Sequence, residues 1–241
     1  MSASPERPVI GLASSTYEDA QPYANLIERS GGHPIVVLPD DRTPPAETIS
    51  RLGGMLICGG EDIHPRRYGK EPEAGVELVL SEGRDGMELS LLAEALEADV
   101  PTLCIGRGMQ VLNIALGGAL IQDIPGHSAN LEGDECVSAY HRIYISPGSK
   151  LAAIVGSGGF VRVNSRHHQG VREAQKSRLL LASAYALDDG VIEALESPGH
   201  RWVVGVQFHP ERRGEMPPHF DRLFQSLVDR ALERTIAAIS R

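Results

Sequence analysis

The stretch GVQFHPE places His209 and Glu211 two residues apart. On a strand that spacing turns both side chains to one face. Pro210 between them suits a strand terminus, where a missing N–H does no harm. An imidazole backed by a carboxylate is the base and orienting partner of nucleophilic catalysis. A surface histidine beside a solvated glutamate would read the same, so the pair needs a companion. PTLCIGRGMQVLNIALGGAL (101–120) supplies one, reading as buried strand, sharp turn and helix. That is the layout of a nucleophile elbow. The helix start beyond it offers N–H groups and a positive dipole end to a developing oxyanion. CGGED (58–62) ends another strand in Gly59 and Gly60, whose N–H groups can face the same place. Either glycine pair alone is also ordinary turn chemistry.

The residue at the turn is Gly106, and the nearest thiol, Cys104, comes two places early. Residues so spaced on a strand share a face but lie about 6.6 Å apart. A nucleophile needs its base at around 3 Å. Cys104 is therefore expected to be buried, while Gly106 meets the backbone demand of the turn. The alternative is an elbow slipped back by two residues, which keeps side chains on their faces. It would make Cys104 the nucleophile and draw Gly106 and Gly108 into the helix.

These pieces need a scaffold that brings strand ends together. Strands are expected at PVIGLA (8–13), PIVVLP (34–39), GMLICGG (54–60) and PTLCI, alternating with helices. The helices are AQPYANLIERSGG, PPAETISRLGG and RDGMELSLLAEALEAD, the last with Leu89, Leu92, Ala93 and Leu96 on one face. Such βαβα order implies an α/β fold with a parallel sheet covered on both faces. From about residue 125 strand-like pieces follow one another, and FDRLFQSLVDRALERTIAAI closes as a helix. With no linker or repeat, residues 1–241 read as one domain.

A net charge of −9 argues against a nucleic-acid partner, which needs a basic patch. No stretch approaches a membrane span and no signal peptide is evident, so a cytoplasmic protein is expected. Three cysteines without paired spacing give no disulfide framework. No histidine or cysteine spacing fits a known metal site, so neither metal nor cofactor is expected.

CGGEDIHPRRYG (58–69), RDGMEL (84–89), the elbow stretch, QDIPGH (122–127), VNSRHHQG (163–170) and VVGVQFHPE (203–211) together carry a resemblance. The chain resembles the class I glutamine amidotransferase superfamily, within it the γ-glutamyl-γ-aminobutyrate hydrolase (peptidase C26) branch. The resemblance implies a flavodoxin-like, mostly parallel sheet and a Cys-His-Glu triad cleaving γ-glutamyl amides, as in polyamine breakdown. His209 would move the proton and Glu211 would hold the imidazole. Backbone N–H groups at Gly59, Gly60 and Arg107 would hold the oxyanion. Asp62, His64, Gln110, His167, His168 and Gln169 would meet a small γ-glutamyl substrate, and a homodimer is an admissible assembly. Arg84, Asp85 and Glu88 read as structural, with Glu88 the weaker functional candidate. The family elbow reads G-I-C-R-G, whereas this chain reads C-I-G-R-G with the two residues exchanged. Hydrolysis is expected to be impaired, and exchanging the two residues back to restore it. A silent ligand-binding relative and a glutaminase subunit are the other readings.

Overall fold

The computed structural model describes residues 7–132 and 135–239. In chain order its first half runs β1 (Val9–Ala13), α1 (Tyr17–Arg29), β2 (His33–Val37), α2 (Pro45–Ser50) and β3 (Gly54–Ile57). Then come α3 (Glu82–Glu97), β4 (Thr102–Ile105) and α4 (Arg107–Ala115). The second half has β5 (Asn130–Glu132), β6 (Glu135–Val137), β7 (Ala139–Ile145), α5 (Lys150–Val155) and β8 (Gly159–Ser165). It ends with β9 (Leu181–Ala186), β10 (Ile192–Glu196), β11 (Val203–Val206) and α6 (Arg222–Ile239).

Nine strands form one sheet in the order β2-β1-β3-β4-β11-β10-β9-β7-β8. The five from β2 to β11 are parallel, because each of the first four is followed by a helix long enough to return the chain. From β11 outward every pairing is antiparallel. β3, β4 and β11 are buried at every position, as apolar runs without alternation predict for a sheet covered on both sides. One cover is α1, α5 and α6, packed on Leu12, Leu56, Leu103 and Val206. The other is α2, α3 and α4, packed on Met55, Ile57, Cys104 and Val203.

Helix α3 departs from the expected face. Ala93 is exposed and Leu89 only half-buried. The buried stripe runs Arg84, Asp85, Glu88, Leu91, Leu92, Ala95 and Leu96. Its first two turns bury charge rather than leucine, so an apolar period misplaced the stripe by about one position. No helix among the described residues is long and apolar enough to cross a membrane.

Candidate active site

The carboxyl ends of β3, β4 and β11 converge on a cleft of about 890 Å³. Crevices at the carboxyl ends of parallel strands are where such sheets bind ligands. At the end of β4, Gly106 has φ 56° and ψ −116°, and α4 begins at the next residue. Its N–H donates to the Val206 carbonyl at 2.8 Å, which pins the elbow to β11. The elbow therefore lies at 106. A Cβ added there would lie 3.0 Å from His209 Nε2.

His209 and Glu211 are not on a strand, as their spacing had suggested. β11 ends at Val206, and the pair sits in a turn closed by Arg212 N–H donating to the His209 carbonyl at 3.2 Å. The turn, not strand alternation, brings Nδ1 of His209 to 2.6 Å from Glu211 Oε1. With Nδ1–H given to the carboxylate, Nε2 presents its lone pair toward position 106. Asn164 fixes the histidine backbone from both sides, accepting from His209 N–H at 2.8 Å and donating to its carbonyl at 3.1 Å. Glu215 in turn accepts from Asn164 Nδ2 at 2.9 Å.

Tyr23 on α1 was invisible to sequence reasoning, since a helical tyrosine in an apolar stripe reads as core. Its hydroxyl donates to Glu211 Oε1 at 2.9 Å and accepts from Gly59 N–H at 3.1 Å. Burial first, and then the Glu211 charge, raise its pKa well above the ordinary tyrosine range, so it remains a donor. The same bond corrects one expectation: the Gly59 N–H is already engaged with Tyr23. Gly60 and Arg107 remain as the candidate oxyanion donors, the latter because the first N–H of a helix has no partner within it.

Cys104 lies in the middle of β4, fully buried, on the face covered by α3 and α4. Desolvation alone raises its pKa, and no cation among the described residues stands by to stabilise a thiolate. The slipped elbow is not the arrangement the chain adopts, because β4 keeps its register with Cys104 opposite Ile57 and Gly205.

The other expected contacts divide. Asp62 and His168 line the cleft, with His168 Nε2 2.8 Å from Asp62 Oδ1 and Nδ1 3.2 Å from Asp123. The Asp62 hydrogen bond raises the pKa of His168 against the opposing effect of burial. Gln110, His167 and Gln169 line a recess of about 50 Å³ behind it. There Gln110 Nε2 donates to the Gln169 carbonyl at 3.0 Å and Gln207 Oε1 at 3.2 Å. His64 is not at the cleft. It caps a short 3-10 helix (Pro65–Tyr68), its Nδ1 accepting from Arg66 N–H, and borders a separate shallow depression with Arg66, Arg67 and Glu82.

Arg84, Asp85 and Glu88 are structural in a stronger sense than helix-end acids. Arg84 donates to Glu88 at 2.7 Å, while Arg107 donates to Asp85 at 2.5 Å and also pairs with Glu88. All four are buried, and Arg107 is the first residue after the elbow glycine. Elsewhere, His127, His141 and Glu193 bring potential metal-ligating atoms within 4.8 Å of one another. They arrive from three segments of chain, so local spacing could not reveal them.

With this geometry in view, the comparisons identify the family. The peptidase C26 model matches residues 8–211, and the chain belongs to that glutamine amidotransferase-like family. It is 34% identical over 232 residues to "Putative glutamine amidotransferase PB2B2.05" of Schizosaccharomyces pombe, covering 94% of this chain and 87% of that one. It is 29% identical over 213 residues to γ-glutamyl-γ-aminobutyrate hydrolase PuuD of Escherichia coli (strain K12), covering 83% and 80%. The glutaminase domain of Trypanosoma brucei CTPS, solved with bound acivicin, superposes with a TM-score of 0.66 at 17% identity, covering 94% of each chain. These structural likenesses establish the class I glutamine amidotransferase fold.

Proposed function

We propose that the cleft binds a γ-glutamyl amide and that the chain as it stands lacks the atom that would cleave it. One observation carries this reading: the lone pair of His209 Nε2, with Glu211 and Tyr23 behind it, faces a glycine. Family membership and the name of the Escherichia coli relative support the substrate class. So does the cleft wall. Arg166, Arg212 and Arg213 suit the glutamyl carboxylate, while Glu18, Asp19, Glu61 and Asp62 suit a cationic amine.

With a thiol at 106 the steps would be those of a cysteine hydrolase. Nε2 of His209 takes the thiol proton, sulfur attacks the γ-carbonyl, and the N–H groups of Gly60 and Arg107 hold the oxyanion. The imidazolium, steadied by Glu211, returns the proton to the departing amine. Water then releases glutamate. Without that sulfur the cleft retains recognition and loses attack.

Calorimetric titration with γ-glutamyl-γ-aminobutyrate and a γ-glutamyl diamine, beside a glutamate-release assay, tests this. Saturable binding without turnover is expected. Absence of binding overturns the substrate class. Rapid release that Cys104→Ser abolishes would make Cys104 the nucleophile and overturn the reading of the elbow.

A further inference from the structure

Behind the cleft, four side chains from distant segments turn toward one point. His127 comes from the loop after α4, His141 from β7, His167 from the segment just beyond β8, and Glu193 from β10. Glu193 Oε1 lies 3.1 Å from His141 Nε2, 3.6 Å from His127 Nδ1 and 3.6 Å from His167 Nε2. All four side chains are more than nine-tenths buried.

Such closeness normally means hydrogen bonding, yet the alignment is wrong for it. Nδ1 of His127, both nitrogens of His141, Nε2 of His167 and both oxygens of Glu193 have no hydrogen-bond partner among the described residues. Leaving so many polar atoms unpaired in one buried place forfeits their hydration with nothing in exchange. Each such group in a native protein calls for a cause, and an ion is among the ordinary ones.

The tautomers point the same way. His167 Nδ1 is 2.9 Å from the Gln169 carbonyl, which can only accept, so Nδ1 carries the proton and Nε2 the lone pair. His127 Nε2 is 3.3 Å from Asp189 Oδ2, which leaves Nδ1 as the lone-pair nitrogen. A carbonyl or carboxylate behind a ligating imidazole is the usual outer support of a metal site. The backbone contributes as well. Ile192 pairs with Tyr185 but Ala194 with Ala184, so β10 carries an extra residue at Glu193. A bulge of this kind re-aims a side chain.

We propose that His127 Nδ1, His141 Nε2, His167 Nε2 and Glu193 Oε1 bind one divalent transition-metal ion, zinc, in a closed structural site. Ligands at about 2.0–2.1 Å on a tetrahedron stand about 3.3–3.4 Å apart, and the three separations from Glu193 Oε1 fall on either side of that, while the histidines draw in by up to about an ångström and a half when the ion binds. Three neutral imidazoles suit zinc better than magnesium or calcium. With Glu193 and the supporting Asp189, the dication is neutralised. Four protein ligands leave no open position, so the ion's work is mechanical: it fastens residues 166–170 to β7 and β10. That segment carries Arg166 and His168 into the cleft and Gln169 into the recess behind it.

The test is metal analysis of the full chain, purified without a metal-affinity tag and desalted. About one zinc per chain is expected. Removing it with a chelator should lower the melting temperature by several degrees, and added zinc should restore it. Cobalt in its place should show the intense visible bands of tetrahedral coordination, a readout that needs no variant. Glu193→Gln should lose the metal, whereas His168→Gln, altering the half-buried histidine between Asp62 and Asp123, should keep it. Protein that neither contains nor takes up zinc or cobalt overturns the proposal. So does metal that survives Glu193→Gln and departs with His168→Gln.

Discussion

At position 106 a new Cβ would lie 3.0 Å from Nε2 of His209 and 2.8 Å from its Cε1, so the ring must give by a few tenths of an ångström. A cysteine placed there would be next to its base, and Gly106→Cys should raise γ-glutamyl amide hydrolysis by several orders of magnitude. Loss of a catalytic nucleophile costs on the order of a millionfold. On the sequence alone, Gly106→Cys by itself is expected to help less than the double exchange, because a side chain at 104 could displace the strand. The structure argues otherwise, because Cys104 fits the α3–α4 face without disturbing the elbow. The double variant should therefore be less stable than the single one, from a strand glycine and a cavity, with no gain in rate. Steady-state rates and melting curves for the three proteins decide it. Tyr23→Phe is expected to cost about 1–3 kcal/mol in urea unfolding, since it strands the Gly59 N–H and takes a donor from Glu211. His209, Glu211 and Gly106 were legible because each lies in a short motif. Tyr23 was not, because its partner is 188 residues away.

Among elements, the start of α3 shows what hydrophobic periodicity cannot see. Arg84, Asp85 and Glu88 occupy core-facing positions; Asp85 and Glu88 pair with Arg107 from α4 while Arg84 pairs with Glu88, so charge joins leucine in locking these two helices. Removing one partner leaves a buried charge uncompensated, and Glu88→Ala should destabilise the fold by about 3–5 kcal/mol in urea unfolding. The loop after β11 offers a milder, pH-dependent contact. Burial raises the Glu215 pKa, but hydrogen bonds from Ser138, Asn164 and Arg212 outweigh it and set the carboxyl below its ordinary value. A depressed carboxylate stabilises the fold above its unfolded pKa, and that share is lost as pH falls through the folded value. Glu215→Gln should thus be less stable than the parent near neutrality, with the gap closing below about pH 4. Acid titrations followed by circular dichroism would show whether the two curves converge.

For the whole molecule, the parallel half of the sheet was readable because each buried run is followed by an amphipathic stretch. In the second half the strands were readable but their neighbours were not. β11 returns to the centre of the sheet beside β4, a pairing between residues about a hundred apart. That return is what carries His209 to Gly106. The same burial sorts the cysteines: Cys58 and Cys104 are enclosed, and burial raises both thiol pKa values, while Cys136 is exposed. A thiol reagent should modify one cysteine rapidly in the native protein and three after denaturation. Fast native labelling of Cys104, suppressed by a γ-glutamyl ligand, would contradict this.

Arg84 does more than balance its acidic neighbours. Its Nη2 donates to the Gly59 carbonyl at 2.6 Å and lies 3.4 Å from that of Cys58. In a trans peptide the N–H points opposite to the carbonyl, so the N–H of Gly60 faces away from the guanidinium. A cation drawing electrons from one end of an amide makes the other end a stronger donor. A Cβ at residue 60 would stand 1.8 Å from Arg84 Nη1, so only glycine lets the two come this close. The buried arginine thereby acts on the cleft by induction through a single peptide unit, without ever entering it.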